Sequence, residues 1–332
     1  MRLKNIAILY GGDSREAEIS ANSAANVRQW IDTARYNAFM LEVKGARWRC
    51  TQDGATLAEV DKNDFSIVVN GQRIAFDVAL IMIHGTPGEN GLLQSYFDLL
   101  QIPYTTCSAF VSALTFNKFA CKAYLAQTTD VATAKSVLVC KEELQSIGIQ
   151  SITKKIGLPL FVKPNNDGSS FGVSKVKTES ELLPAIEKIF AQGSTEAIVE
   201  EFIAGTEVTN GAMRLNGKLT VLPITEIVSE NEFFDYEAKY TGHSREITPA
   251  RLDKSVYSQV QHHTSLIYNK LGCFGIVRVD YIIRDNIPYF LEINTVPGMS
   301  SASIIPQQVQ QAGGNMVQTI SDLIDTAYSN KK

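Results

Sequence analysis

The apolar positions of this chain keep two different spacings, and the boundaries between them mark its elements. Residues 5–10, "NIAILY", run almost unbroken into Gly11-Gly12. A short continuous apolar run stopped by glycines predicts a strand covered on both faces. Ser14 is expected to cap a helix, because Ala24, Val27, Trp30 and Ile31 then fall on one helical face. "FDVALIMIHG" reads as a second buried strand ending at His84-Gly85, and "GLLQSYFDLLQIPY" as an amphipathic helix leading into a third strand. Strand and helix in alternation predict an open α/β domain with a mostly parallel sheet, whose ligands gather at the carboxyl ends of its strands. The Gly11-Gly12 turn and His84 both lie at such ends.

From Ser112 the texture changes. "TFNKFACKAYLAQ" is helical, with Lys118 and Lys122 one turn apart. "PLFVKPNNDGSSFGVSKV" predicts a strand, a polar glycine loop and a return strand; "ESELLPAIEKIFAQ" a helix; and "AIVEEFI" a further strand. The last third carries strands "EVTNGAMRL" and "KLTVLPITEIV", a polar stretch from Ser229 to Thr248, and a helix around "SVYSQVQHHTSLIYNKLG". It then runs into "GIVRVDYII" and "IPYFLEINT", a hairpin turned at Arg284-Asp285-Asn286. The pattern is α+β from here on, without internal repeats.

Composition narrows the picture. A chain of 332 residues is expected to form two or three domains. With 31 basic and 35 acidic residues the net charge is −4. No bulk attraction to nucleic acid or an anionic membrane is expected, so an anionic substrate needs a local basic pocket. The five cysteines are odd in number and form no C-x-x-C pair, which reads as reduced thiols and a cytoplasmic setting. The opening apolar run is too short for a signal peptide, and no stretch reaches the length of a membrane span.

Four stretches carry candidate chemistry. In the hairpin, side chains two apart share a face, so Arg278 and Asp280 on one strand can meet Glu292 and Asn294 on the other, with Leu291 and Ile293 pointing away. Two carboxylates and an amide oxygen suit a hard cation such as magnesium, completed by water and phosphate; an exposed salt-bridge net is an equally open reading. "FVKPNNDGSSFG" places Lys163 before a loop of small residues whose amides can line a polyphosphate, although Asn-Asp-Gly is also ordinary turn chemistry. "GGDSREAEIS" lacks the full dinucleotide fingerprint. It leaves Glu16 near a helix start, where the helix dipole favours an acid and where the acid can also receive an ammonium group. "NEFFDYEAKYTGHSRE" is long, polar and aromatic, as a lid or a solvated excursion would be.

Taken together and in order, "GGDSREAEIS", "HGTPGENG", "SALTFNKFACK", "FVKPNNDGSSFGVSKV", "FDYEAKY", "VRVDYI" and "LEINTVPGMSSASIIP" resemble the D-alanine–D-alanine ligases of the ATP-grasp superfamily. The resemblance implies a three-domain ATP-grasp build: 1–106 as the N-terminal substrate domain, 107–203 as the central subdomain, and 204–332 with the metal site and lid. It implies that ATP phosphorylates one D-alanine and that the amine of a second attacks the acyl phosphate, supplying cell-wall precursor. Asp280, Glu292 and Asn294 would hold two Mg2+ or Mn2+ ions. Lys118, Lys163 and Lys239 would grip the phosphates, Glu200 and the backbone of Glu201 and Ile203 would meet adenine, and Glu207 the ribose hydroxyls. Arg278 and the Gly298 amide would hold the developing oxyanion. Glu16, Ser169 and Tyr240 would form a trio at the first D-alanine with His84 nearby, and Ser303 and Ile304 would take the carboxylate of the second. A homodimer and a monovalent cation are family expectations. Asn90 stands where the family often has an acid, and Phe234 keeps a ring without a hydroxyl. The rivals are a ligase for another amino acid or a hydroxy acid, and a nucleotide-binding regulator without turnover.

Overall fold

The computed structural model describes residues 2–168, 172–229 and 244–330. Three sheets carry it. The first is built from β1 (Lys4–Gly11), β2 (Tyr36–Lys44), β3 (Arg47–Gln52), β4 (Ala55–Asp61), β5 (Ser66–Val69), β6 (Gln72–Ala75) and β7 (Val78–Ile81), in the order β6-β5-β4-β3-β2-β1-β7. The expected parallel sheet is present where β1 pairs with both β2 and β7. Beyond β2 the strands run antiparallel as a meander. Two of its turns fall at Asp53-Gly54 and Asn70-Gly71, which take the positive φ that a tight hairpin turn requires. The strand expected after helix Leu92–Leu100 shrinks to one parallel bridge between Ala79 and Tyr104.

Helix Ala17–Gln29 begins two residues later than a Ser14 cap would place it. Ser14 instead donates its hydroxyl to the His84 carbonyl at 2.8 Å and accepts the Glu16 amide at 3.2 Å, tying the first glycine turn to the end of β7. Asn117 breaks the next helical stretch in two. Its side chain caps Lys118–Thr128 by accepting from Ala120 N at 2.9 Å, so Lys118 is the first residue of its helix.

A short strand, β8 (Ala132–Thr133), leads into the second sheet, which contains β9 (Ser136–Cys140), β10 (Leu160–Pro164), β11 (Ser174–Val176) and β12 (Glu196–Glu201), ordered β11-β10-β12-β9. The third sheet holds β13 (Thr206–Leu215), β14 (Lys218–Ser229), β15 (Ser244–Ile247), β16 (Gly275–Arg284) and β17 (Ile287–Asn294), with β8 on its far edge. Asp285 and Asn286 turn β16 into β17 with φ of 52° and 62°, as the sequence predicted.

Two helices that the apolar pattern did not announce complete the fold. Met316–Ser329 packs Ile320, Leu323 and Ile324 into one core with Ile6, Ile8 and Leu80 of the first sheet. Asp325 on the same helix meets Lys4 at 3.0 Å, the Tyr36 hydroxyl at 2.9 Å, and Arg35. The end of the chain thereby closes over its beginning. Helix Ile304–Gln311 lies on the third sheet at Gly211, where a Cβ would come within 2.6 Å of Gln308 Oε1 and Ile305 Cδ1. Gln308 uses that approach to accept from Gly211 N at 2.9 Å and to donate to the Thr209 carbonyl at 3.0 Å. This contact sets Ser303, one residue before the helix, at the edge of the cleft described next.

Candidate active site

The hairpin register decides the centre of the site. Arg278 stands opposite Asn294, and Asp280 opposite Glu292. The next pair is Tyr281 with Phe290, so Leu291 is an extra residue on β17. Strict alternation would send Leu291 to the face opposite Glu292. The bulge instead leaves it lining the cleft with Glu292, while Phe290 and Ile293 enter the core.

Asp280 is buried and saturated with donors. Arg278 Nε and Nη2 reach its two oxygens at 2.9 Å each, Asn294 Nδ2 donates at 3.0 Å, and the Thr209 hydroxyl donates from β13. Glu292 faces Lys118 Nζ at 3.5 Å. The two carboxylates would repel one another across the strands if left alone; here Arg278 and Lys118 neutralise them. Among the described residues no cluster of three or more His, Cys, Asp or Glu side chains forms a closed metal cage. Two carboxylates with one amide oxygen fit magnesium that takes its remaining ligands from phosphate and water.

Beside the hairpin lies a narrow cavity of about 130 Å³, lined by Lys118, Lys163, Glu200, Glu201, Ile203 and Glu207 among others. Lys122 was noted in the sequence only as Lys118's neighbour one turn on. The structure places it, buried, against Glu200. Lys163 reaches the other oxygen of Glu200 at 2.5 Å. Burial alone would raise the Glu200 carboxyl, but the two ammonium groups outweigh it and hold the pKa at about 2. Two lysines share one carboxylate, so burial and the charge of Lys163 lower the pKa of Lys122. The cluster keeps one positive charge more than it has negative. Glu201 commits its backbone N–H to Lys135 and its side chain to Arg284 at 3.0 Å.

A larger cavity of about 420 Å³ adjoins the first. Glu16, His84, Arg278, Gly298, Ser303 and Ile304 all line it. The glycine loop arrives at Gly168, where a Cβ would sit 2.6 Å from Glu16 Oε2, so only glycine lets the loop approach this carboxylate. Gly298 packs close to Ser303 Oγ, which also bonds the Ser300 hydroxyl at 2.8 Å. His84 is buried and engages both ring nitrogens internally, Nδ1 on the Val296 carbonyl at 2.7 Å and Nε2 on Ser23 Oγ at 3.0 Å. Ser23 Oγ also accepts Met299 N, so its proton goes to Nε2 and the proton of the ring sits on Nδ1. Burial lowers the pKa of His84 and keeps it neutral. It acts as a strut between the first helix and the Val296–Met299 turn.

Glu89, which sequence reasoning passed over within "HGTPGENG", supports the same turn. Its carboxylate accepts from Gly85 N at 2.9 Å, Thr295 N at 3.1 Å and Val296 N at 2.9 Å. Burial nonetheless pushes its pKa up to about 7. The only signal in the sequence was an acid inside a glycine-rich segment at a strand end. Ser169, Lys239 and Tyr240, together with Phe234, lie outside the described residues.

A narrow slot ends at paired carboxylates and opens into a second cavity, across the junction of three sheets. This is the architecture of an ATP-grasp ligase. Family models described as D-ala D-ala ligase N-terminus and C-terminus match residues 5–107 and 125–325. The D-alanine–D-alanine ligase of Phocaeicola vulgatus is 48% identical over 326 residues, covering 98% of this chain and 99% of that one. The crystal structure of the VanG D-Ala:D-Ser ligase from Enterococcus faecalis superposes with a TM-score of 0.87 at 30% identity, covering 98% of this chain and 100% of that chain. The Bacillus anthracis D-alanine–D-alanine ligase complexed with ATP superposes at 0.79 with 26% identity, covering 99% and 98%. The chain belongs to the D-alanine–D-alanine ligase family.

Proposed function

We propose that the protein joins two D-alanines at the expense of ATP, through a D-alanyl phosphate, to supply peptidoglycan precursor. The observation that carries this reading is the hairpin register, which sets Arg278, Asp280, Glu292 and Asn294 together where the narrow cavity meets the wide one. Transfer of a γ-phosphoryl group needs positioning and charge neutralisation more than a covalent nucleophile. Lys118 and Lys163 would neutralise the phosphates. Glu200 and the backbone of Glu201 and Ile203 would seat adenine, and Glu207 the ribose. Asp280, Glu292 and Asn294 would hold two magnesium or manganese ions, whose role when bound is to screen the transferring phosphoryl group.

In the larger cavity Glu16, with Ser169 and Tyr240, would hold the first D-alanine, and His84 would keep that wall in place. Arg278 and the Gly298 amide would stabilise the oxyanion that forms when the amine attacks the acyl carbon, an interaction stronger in the transition state than in the ground state. Ser303 and Ile304 would take the second carboxylate at the start of their helix. Lys239 would close over the phosphates from the lid. Domain boundaries at 106/107 and 203/204 belong to the same proposal, and the passage of the chain from the first to the second to the third sheet supports them, β8 apart. A monovalent cation belongs to the same reading.

Purified protein given ATP, magnesium and D-alanine is expected to release phosphate and form D-alanyl-D-alanine in equal amounts. Phosphate release that depends on D-lactate or another acceptor in place of D-alanine would move the activity to a different ligase. ATP binding with no D-alanine-dependent turnover would leave a nucleotide-binding regulator.

The protein is proposed to act in the cytoplasm, where ATP and reduced thiols are found; none of the described helices is long and apolar enough to cross a membrane. A homodimer is proposed through helix Leu92–Leu100 and its neighbour Ala109–Phe116. Leu92 and Leu99, two turns apart on one face, are 60% and 84% exposed, and Phe110 beside them is 69% exposed. Sedimentation should give twice the chain mass for the parent and the chain mass for Leu99→Glu. A parent that sediments as a monomer at micromolar concentration would remove the dimer.

A further inference from the structure

The acidic side chains around the larger cavity are not equally committed. Asp280 is saturated by Arg278, Asn294 and Thr209, and Glu89 by three backbone amides. Glu292 faces Lys118, and Glu207 also lines the narrow cavity with Lys163 and Ile203. Glu16 is the acid placed against the glycine loop. There remains Glu246, on the edge strand β15.

Glu246 pairs with Ile227 of β14, and Ile227 pairs with Glu207 of β13. All three line the larger cavity, so Glu246 extends the sheet face on which the cleft is built. Its Oε2 accepts from Gln307 Nε2 at 2.8 Å. The same amide donates to the Ala302 carbonyl at 2.7 Å, one residue before Ser303. One glutamine therefore ties the Glu246 carboxylate to the segment carrying Ser303 and Ile304. Partial enclosure pushes the Glu246 carboxyl up, while Gln307 and the positive charge of Arg278 pull it the other way. The carboxylate thus lies within the field of Arg278.

An amino acid entering this end of the cleft brings a carboxylate and an ammonium group. The ammonium must come to rest near Arg278, a cation that repels it, and the first substrate's ammonium has already claimed Glu16. On the reading given under Proposed function, we propose that Glu246 is the acceptor-side carboxylate, which receives the ammonium of the second amino acid while Ser303 and Ile304 hold its other end. It would select a charged amine over a neutral hydroxy acid of the same size, because only the amine compensates the carboxylate when water leaves.

The test separates the two substrate sites. Dipeptide formation is followed against D-alanine concentration for the parent, Glu246→Ala, Glu246→Gln and Glu246→Asp, so that donor and acceptor KM are resolved. Positional isotope exchange within ATP, driven by D-alanine, reports the first half-reaction alone. Glu246→Ala and Glu246→Gln are expected to raise the acceptor KM at least about tenfold, as loss of a charged contact does, while Glu246→Asp, which keeps the charge, should show a smaller rise. The KM for ATP and the isotope exchange should stay within about twofold of the parent, and the preference for D-alanine over D-lactate should fall by about the same tenfold. An acceptor KM that stays near the parent value in both neutral variants overturns the proposal. So does a parallel rise in the KM for ATP, which would mark damage to β15. Absence of dipeptide from the parent would instead count against the ligase reading.

Discussion

Glu292→Gln is expected to lower the rate of dipeptide formation by roughly a thousandfold, the scale on which removing one charge-stabilising group acts at a reacting centre. Glu292 is mostly enclosed, pairs with Lys118 at 3.5 Å and also lies in the field of Arg278 and Lys163, so the stability of each variant has to be measured beside its rate. The amide keeps the shape and hydrogen-bonding oxygen of the side chain but cannot share a full negative charge with a cation. The neighbouring change Asp280→Asn is a poorer probe. Asp280 binds Arg278, Asn294 and Thr209, so that variant disturbs both chemistry and packing. The measurement is phosphate release at saturating D-alanine, beside an unfolding curve for each protein. A Glu292→Gln protein that retains a tenth or more of the parent rate with an unchanged unfolding curve would take the metal site away from this hairpin.

Glu200→Gln should have the largest effect on stability. In the parent the Glu200 carboxyl is held at about 2, against 4.5 for an ordinary glutamate. A depressed carboxylate contributes stability that is present above the unfolded pKa and is lost as pH falls through the folded one. The interval corresponds to about 3 kcal/mol, present above pH 4.5 and gone near pH 2. In the variant, Lys122 and Lys163 remain buried with no counter-charge from Glu200. Breaking such a cluster from one side costs about 3–5 kcal/mol at neutral pH. The buried lysines then titrate lower than they do in the unfolded chain. The unfolded state binds more protons between the two pKa values, so the stability of the variant should rise as pH is taken from about 7 toward about 10. Denaturant midpoints across that range would show it. A variant as stable as the parent at neutral pH would mean that the three side chains are not coupled as described.

Much of the centre was legible before any coordinates. The period of two in "VRVDYI" and "LEIN" put Arg278 with Asp280 and Glu292 with Asn294, and the Asp285-Asn286 turn set the register that joined them. Lys163 with its glycine loop and Glu16 were read from their local surroundings, whereas the phosphate role expected of Lys118 came only from the resemblance to the ligase family. Lys122 was noted only as one helical turn on from Lys118, with no role, because that spacing leaves both on nearly the same face and does not say which of them turns inward. The packing of β12 decided that Lys122 goes inward to Glu200 and Lys118 outward to Glu292. Glu89 carried no spacing signal, because its three donors come from residues 85, 295 and 296. Leu291 was assigned to the wrong face for a related reason. A bulge is a property of two paired strands, invisible in either one.

By itself, the sequence determined the strands and turns that build the centre and which of their side chains travel together, since those depend on contacts within a few residues and on the fixed periods of helix and strand. The meander of β3 to β6 and helices Ile304–Gln311 and Met316–Ser329 were not legible in it. The tertiary structure alone decided how three sheets meet and which of several similar acids and lysines face one another. It also laid helix Ile304–Gln311 on Gly211, carrying Ser303 to the cleft beside Glu246. These outcomes depend on steric fit and charge balance between segments tens to hundreds of residues apart, and no local pattern records which distant partner fills a given space.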